Sequence, residues 1–128
     1  MPQRSPAGNS KTTVYIVADD APVRDSLVAL LESEGFEAPA FASGDAFLAH
    51  FHPGGDACVL MDLELKGTTG LALLETLAVR AHHLPIFVLT GNPDLRARAR
   101  ALDLGALAVF MKPSDPVLLV ASIRDAIC

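Results

Sequence analysis

The chain has 128 residues, 51% of them hydrophobic, and a formal charge of -5. That bounds it to one globular domain with a proper core and excludes a disordered tail. With no basic stripe to neutralise phosphates, no nucleic acid is expected to bind this domain alone.

No apolar run is long enough to span a membrane, and the first twelve residues lack the hydrophobic segment of a signal peptide. Two cysteines, Cys58 and Cys128, make no disulfide framework, so a reduced cytoplasmic setting is expected.

Residues 1–12 hold Pro, Gly, Ser and Asn without periodicity and read as a flexible lead; residues 13–127 read as the folded domain. Val14 to Ala18 is a β-rich run ending in Asp19 and Asp20, a first strand carrying acids at its tip. Pro22 suits only a first helical turn, so a helix starts near Ala21, with Val23, Leu27, Leu30 and Leu31 inward and Gly35 at its end. Glu37 to Phe41 reads as a second strand. Ser43 is an N-cap, and Phe47, Leu48 and Phe51 form the buried face of the next helix.

Cys58-Val59-Leu60-Met61-Asp62 is the centre of the chain: a continuous apolar run, bounded by Pro53, Gly54, Gly55 and Gly67, that meets a single carboxylate. A loop follows, and Gly70 opens a helix with Leu71, Leu74 and Leu77 on one side. Pro85 to Thr90 is a fourth strand, Asp94 to Leu104 a helix closed by Gly105, and Leu107 to Met111 a fifth strand ending in Lys112-Pro113. Ser114 and Pro116 start a last helix with Leu119, Val120, Ile123 and Ile127 inward. Leu118 and Ala121 fall outside that stripe and hint at a contact surface.

Five strand–helix alternations predict an α/β fold: a single doubly wound, five-stranded parallel sheet with five helices on its two faces. Parallel strands present Asp19, Asp20, Asp62, Thr90 and Lys112 at one edge, where open α/β sheets bind ligands. Clustered carboxylates repel unless they hold a proton or a cation. Mg²⁺, a hard ion using one or two carboxylates plus phosphate oxygens, fits this set, and a lysine and a hydroxyl suit a phosphoryl group. A carboxylate nucleophile, a metal and a cation are what phosphoryl transfer to an aspartate needs.

Several spaced features resemble the response-regulator receiver domains of two-component signalling, in particular the nitrogen-fixation-regulator branch. They are Val14-Tyr15-Ile16-Val17 with acids and Pro22-Val23-Arg24, Ser43-Gly44-Asp45-Ala46-Phe47-Leu48, Met61-Asp62-Leu63 with Gly70, Leu89-Thr90-Gly91, Gly105-Ala106 and Lys112-Pro113. The resemblance covers about Thr13 to Ile127 and implies a flavodoxin-like sheet of order 2-1-3-4-5. It implies that Asp62 accepts the phosphoryl group, that Thr90 and Lys112 contact it, and that Asp19, Asp62 and the Glu64 backbone carbonyl ligate Mg²⁺, with Asp20 a further candidate. It also implies a cis bond before Pro113 and a histidine kinase or histidine phosphotransfer protein as donor. A switching surface on helix 4, strand 5 and helix 5 follows, able to support a homodimer. Such a domain is a phosphoacceptor that catalyses only its own phosphorylation and dephosphorylation, alone or within a longer regulator.

Three residues depart from the family pattern. Ala18 stands at the first of two acids after strand one, which predicts weaker metal binding unless Asp20 or the Glu64 side chain substitutes. Lys66 replaces a loop proline. Val109 stands where a Tyr or Phe usually reports the switch, and Phe110 has the opposite strand face.

Simpler roles stand beside these. Asp62 or Thr90 could merely end a strand, Asp20 suits the positive start of a helix, and the Glu64 side chain reads as exposed. His50, His52, His82 and His83 lack metal-ligand spacing, and Arg96 and Arg100 read as a solvated face. Three alternatives remain: a degenerate receiver that docks without phosphorylation, an aspartyl-phosphate hydrolase, and a flavin binder. The hydrolase would need a second aspartate and a cap domain, and the flavin binder a phosphate-cradling first loop in place of two acids.

Overall fold

The computed structural model describes residues 12–51, 56–81 and 83–127. The lead at 1–11, His52, the turn residues Pro53, Gly54 and Gly55, His82 and Cys128 lie outside the described residues.

The elements run β1 (Thr13–Val17), α1 (Ala21–Ser33), β2 (Ala40–Phe41), α2 (Gly44–His50), β3 (Ala57–Asp62), α3 (Gly70–Arg80), β4 (Ile86–Thr90), α4 (Leu95–Asp103), β5 (Ala108–Met111) and α5 (Pro116–Ile127). All strand pairs are parallel, and the sheet order is β2-β1-β3-β4-β5, as expected.

Strand residues alternate between two cores. Val17, Val59, Met61, Val88 and Val109 pack with Phe47, Leu73, Leu74, Leu77 and Ala101, which places α2, α3 and α4 on one face. Val14, Ile16, Cys58, Leu60, Phe87 and Leu89 pack with Leu31, Leu119, Val120 and Ile123, which places α1 and α5 on the other. A strand buried on both faces has no polar alternation, and β3 accordingly reads as an unbroken apolar run.

On the α2 face Tyr15, Phe41, Phe47 and Phe51 form a ring cluster, with centroids of Tyr15 and Phe47 5.4 Å apart and of Phe47 and Phe51 5.2 Å apart. Such tilted pairs contribute beyond the area they bury. On the other face Phe110 stacks on Phe87, while Val109 enters the α3–α4 core, so the opposite orientation expected of these two neighbours holds.

One expectation needs correction, and two helix stripes gain detail. The second strand shrinks to Ala40–Phe41, with a lone bridge between Thr13 and Glu37. Pro39 has no N–H to donate to the ladder, although its carbonyl still accepts from the Ile16 N–H. In α3 Leu71, Leu74 and Leu77 share the core side as expected, Leu71 half-buried, and Leu73 joins them fully buried. In α1 only Leu31 is fully buried, while Leu27, Val28 and Leu30 pack half-buried against the same core.

Helix ends follow their local chemistry. Ser43, Thr69 and Asp94 accept hydrogen bonds from backbone N–H groups two or three residues on. Asp115 does the same for the Val117 N–H at the start of α5. Gly35 follows α1 with φ +93°, a left-handed conformation open to glycine at little steric cost.

Candidate functional site

β1, β3, β4 and β5 end side by side. Val17 pairs with Met61, Asp62 with Leu89 and Thr90 with Met111, so the residues just past these pairs share one edge, about 5 Å between neighbouring strands. The period of two also sets facing. Cys58, Leu60 and Asp62 project toward the α1–α5 side, as do Ala108 and Phe110, and Lys112 continues that series just beyond β5.

The outcome is a contact. Lys112 Nζ donates to Asp62 Oδ2 at 2.8 Å. Asp62 is 4% exposed, whereas the Lys112 side chain is 31% exposed, so a buried carboxylate meets a cation that reaches solvent. Asp62 Oδ1 accepts from the Glu64 N–H at 3.0 Å. Charge-assisted bonds of this kind satisfy an acid that burial would otherwise penalise. The Lys112–Pro113 peptide is cis, and the Lys112 N–H donates to the Thr90 carbonyl at 2.9 Å, which ties the lysine to the end of β4.

The β3–α3 loop is clamped. Leu63 and Leu65 are buried, leaving Glu64 and Lys66 facing out. Gly70 lies so close to the loop that a Cβ there would stand 2.6 Å from the Leu63 carbonyl oxygen and 2.7 Å from its Cα. Only glycine fits that approach.

Asp19 is tied to the same loop, since its Oδ2 accepts from the Lys66 N–H at 2.9 Å. Asp20 is placed differently. It is exposed and caps α1, accepting from the Val23 N–H at 3.3 Å. Ala18 is buried, and its carbonyl accepts from Arg24 Nη1 at 2.7 Å.

Thr90 is 1% exposed. Its hydroxyl donates to Glu64 Oε2 and accepts from the Asn92 N–H at 3.0 Å. Glu64 Oε1 takes the Gly91 N–H at 2.9 Å and lies 3.8 Å from Lys112 Nζ. The Glu64 side chain, expected to be merely exposed or to help Asp19 hold metal, is thus engaged with Thr90, Gly91 and Lys112. The Gly91 N–H is a donor that sequence reasoning missed. No strand or helix period marks either one, because both lie in loops just past a strand end.

Whether Mg²⁺ suits these residues is decided by their donors. Asp62 and Asp19 supply two carboxylates on neighbouring strand tips, and the Glu64 carbonyl accepts no backbone hydrogen bond among the described residues. Two carboxylates and a carbonyl, completed by water and phosphate oxygens, are a usual Mg²⁺ set. No group of three or more His, Cys, Asp or Glu side chains among the described residues could by itself hold a metal, so a structural cage is excluded there while a water-rich site is not. Of the histidines, His50 turns its ring nitrogen to the Ala46 carbonyl on its own helix.

A doubly wound parallel sheet that gathers aspartate, lysine and threonine at its carboxyl edge defines a flavodoxin-like α/β protein with its site at the strand ends. Within that class the chain belongs to the response regulator receiver domain family of two-component systems, whose profile matches residues 14–124.

Relatives agree. The transcriptional regulatory protein FixJ of Azorhizobium caulinodans is 35% identical over 114 residues, 89% of this chain and 54% of that protein. FixJ of Bradyrhizobium diazoefficiens is 35% identical over 118 residues, 92% of this chain and 58% of that protein. The chain therefore spans about half the length of these relatives. Among solved structures, full-length FixJ from B. japonicum superposes with a TM-score of 0.84 at 34% identity, over 93% of this chain and 59% of that one. A CheY-like receiver domain protein from Methanospirillum hungatei gives 0.85 at 30% identity, over 92% and 94%. The chain is a FixJ-like receiver domain, which sets aside the hydrolase and flavin-binder alternatives.

Proposed function

We propose that Asp62 accepts a phosphoryl group from a histidine kinase or a histidine phosphotransfer protein, in the cytoplasm, with Asp19, Asp62 and the Glu64 carbonyl holding Mg²⁺. The observation that carries this is the 2.8 Å contact of Lys112 with a buried aspartate at the edge of the sheet. One carboxylate oxygen of Asp62 attacks phosphorus as the P–N bond to the donor histidine breaks, and the electron pair leaves with the imidazole. Mg²⁺ supplies charge neutralisation at the phosphoryl oxygens. Lys112 orients Asp62 beforehand and then balances the added charge, and the Glu64 N–H fixes the second carboxylate oxygen. Thr90 follows the phosphoryl group and shifts a two-state equilibrium of the surface made by α4, β5 and α5, where a second copy docks. Asp20 remains a candidate through bound water only, because its carboxylate serves the α1 cap.

An open groove between α1 and the turn after β5, lined by Pro22, Val23, Ser26, Leu27, Pro113 and Ser114, adjoins Lys112 and gives a donor protein an approach. Like other receivers, the domain would catalyse only its own phosphorylation and dephosphorylation.

The test is mass spectrometry after incubation with acetyl phosphate and Mg²⁺. One phosphoryl group is expected on the wild type, none on Asp62→Asn, and none after chelation of the metal. Equal uptake by Asp62→Asn refutes the assignment. The second reading, a docking module without phosphorylation, is motivated by Ala18 at the place of the first acid. It requires the absence of Mg²⁺ binding at millimolar metal, which titration decides.

A further inference from the structure

We propose that the Glu64 carboxylate is an internal stand-in for the phosphoryl group, one that holds its hydrogen-bond donors in the resting protein and must vacate them on modification. The inference rests on the reading of Asp62 as the phosphoacceptor.

An anion attached to Asp62 needs donors beside it. The available ones are the Thr90 hydroxyl, the Gly91 N–H and the Lys112 ammonium, and Glu64 engages all three: Oε2 takes the hydroxyl, while Oε1 takes the N–H at 2.9 Å and lies 3.8 Å from Nζ. A carboxylate and a phosphoryl group are both anionic acceptors, so they compete for these positions. Buried Leu63 and Leu65 pin the backbone on either side, which leaves rotation of the side chain as the way out. Glu64 has room for that rotation, since its side chain is 43% exposed.

Displacement has a route outward. Thr90 Oγ1 also accepts from the Asn92 N–H, Asn92 Oδ1 accepts from the Asp94 N–H, and Asp94 accepts from the Arg96 N–H at the start of α4. Glu64 thus biases the threonine at the head of a hydrogen-bonded turn that leads into α4. A ligand that binds only when Glu64 has left sees its affinity reduced by the fraction of open molecules.

The experiment is a titration of the folded chain with the beryllium trifluoride anion in the presence of Mg²⁺, read on the Thr90 and Gly91 amide resonances. Wild type, Glu64→Ala and Glu64→Asp are compared; the last keeps the charge but shortens the arm. Both variants are expected to bind on the order of tenfold more tightly than wild type. The Gly91 amide proton of unliganded Glu64→Ala is expected upfield of its wild-type position. Equal affinity in all three proteins, or an unmoved Gly91 resonance, overturns the inference alone. Tightening in Glu64→Ala without tightening in Glu64→Asp also overturns it, because charge rather than occupancy would then be the cause. Binding by none of the three overturns the Asp62 reading, and the inference with it.

Discussion

Lys112 and Asp62 approach to 2.8 Å at the boundary between core and solvent. A hydrogen bond to a charged group is worth about 1.5–3 kcal/mol, and the exposed ammonium reduces that. Lys112→Ala is therefore expected to destabilise the fold by about 1–2 kcal/mol in urea denaturation, since it leaves a buried carboxylate without its cation. No change in the midpoint would show that solvent replaces the lysine. Cys58 lies fully buried in β3, and burial pushes its thiol from 9.0 up to about 12. The sign is fixed by linkage. Below pH 9 both folded and unfolded chains keep the proton, whereas between pH 9 and about 12 only the unfolded chain releases it, so stability falls as pH rises through that window. Cys58→Ala is expected to show a shallower alkaline decline in thermal melts, against a lower baseline from the cavity. Asp62 and Lys112 were legible because strand period and strand ends fix where they lie. The direction of Glu64 was not, because a loop side chain follows local dihedral angles that no periodicity encodes. For Asp20 the two readings, cap and ligand, look alike in sequence, and the Val23 N–H decided for the cap.

At the level of elements, the alternation of apolar runs with 3.6-period stripes disclosed every helix and strand, and outside β2 the ends moved by a residue or two. β2 was overcalled because Glu37 to Phe41 looks strand-like while Pro39 interrupts its ladder. Leu73 was missed because α3 is apolar on adjacent faces, so its stripe does not single out one of Leu71, Leu73 and Leu74. Gly70→Ala drives a methyl group into the Leu63 backbone, and overpacking of this kind costs about 1–3 kcal/mol. A lower denaturation midpoint together with shifted amide resonances across 63–66 is the expected result, and a shift confined to α3 would refute the clamp. Ser43→Ala removes the α2 cap and is expected to lower stability by about 1 kcal/mol in the same assay. Arg124 on α5 bonds both the Glu34 side chain and its carbonyl at 2.8 Å and sits over the Phe36 ring. This ties α5 to the end of α1, though its exposure keeps the ion pair itself weak.

The whole molecule divides its large exposed apolar side chains unevenly. Leu95 and Leu102 lie on α4, Leu107 and Met111 in or beside β5, and Val117 and Leu118 on α5, whereas Val79 on α3 stands apart. That distribution supports the proposed docking of a second copy on the α4–β5–α5 side. Phosphorylation is expected to raise the sedimenting mass toward a dimer, and Leu118→Asp to abolish the rise while leaving labelling of Asp62 intact. A dimer that survives this change would place the interface elsewhere. The described helices include none long and apolar enough to cross a membrane.

Tyr15 is the sole tyrosine, and the chain has no tryptophan. That ring lies among Phe41, Phe47 and Phe51 beneath α2, remote in sheet order from β5. Native ultraviolet emission therefore reports on the β1–α2 region, and under the proposed α4–β5–α5 switch it should stay nearly constant on phosphorylation. An indole introduced at position 111 would give the far edge of the sheet, on β5, a voice of its own.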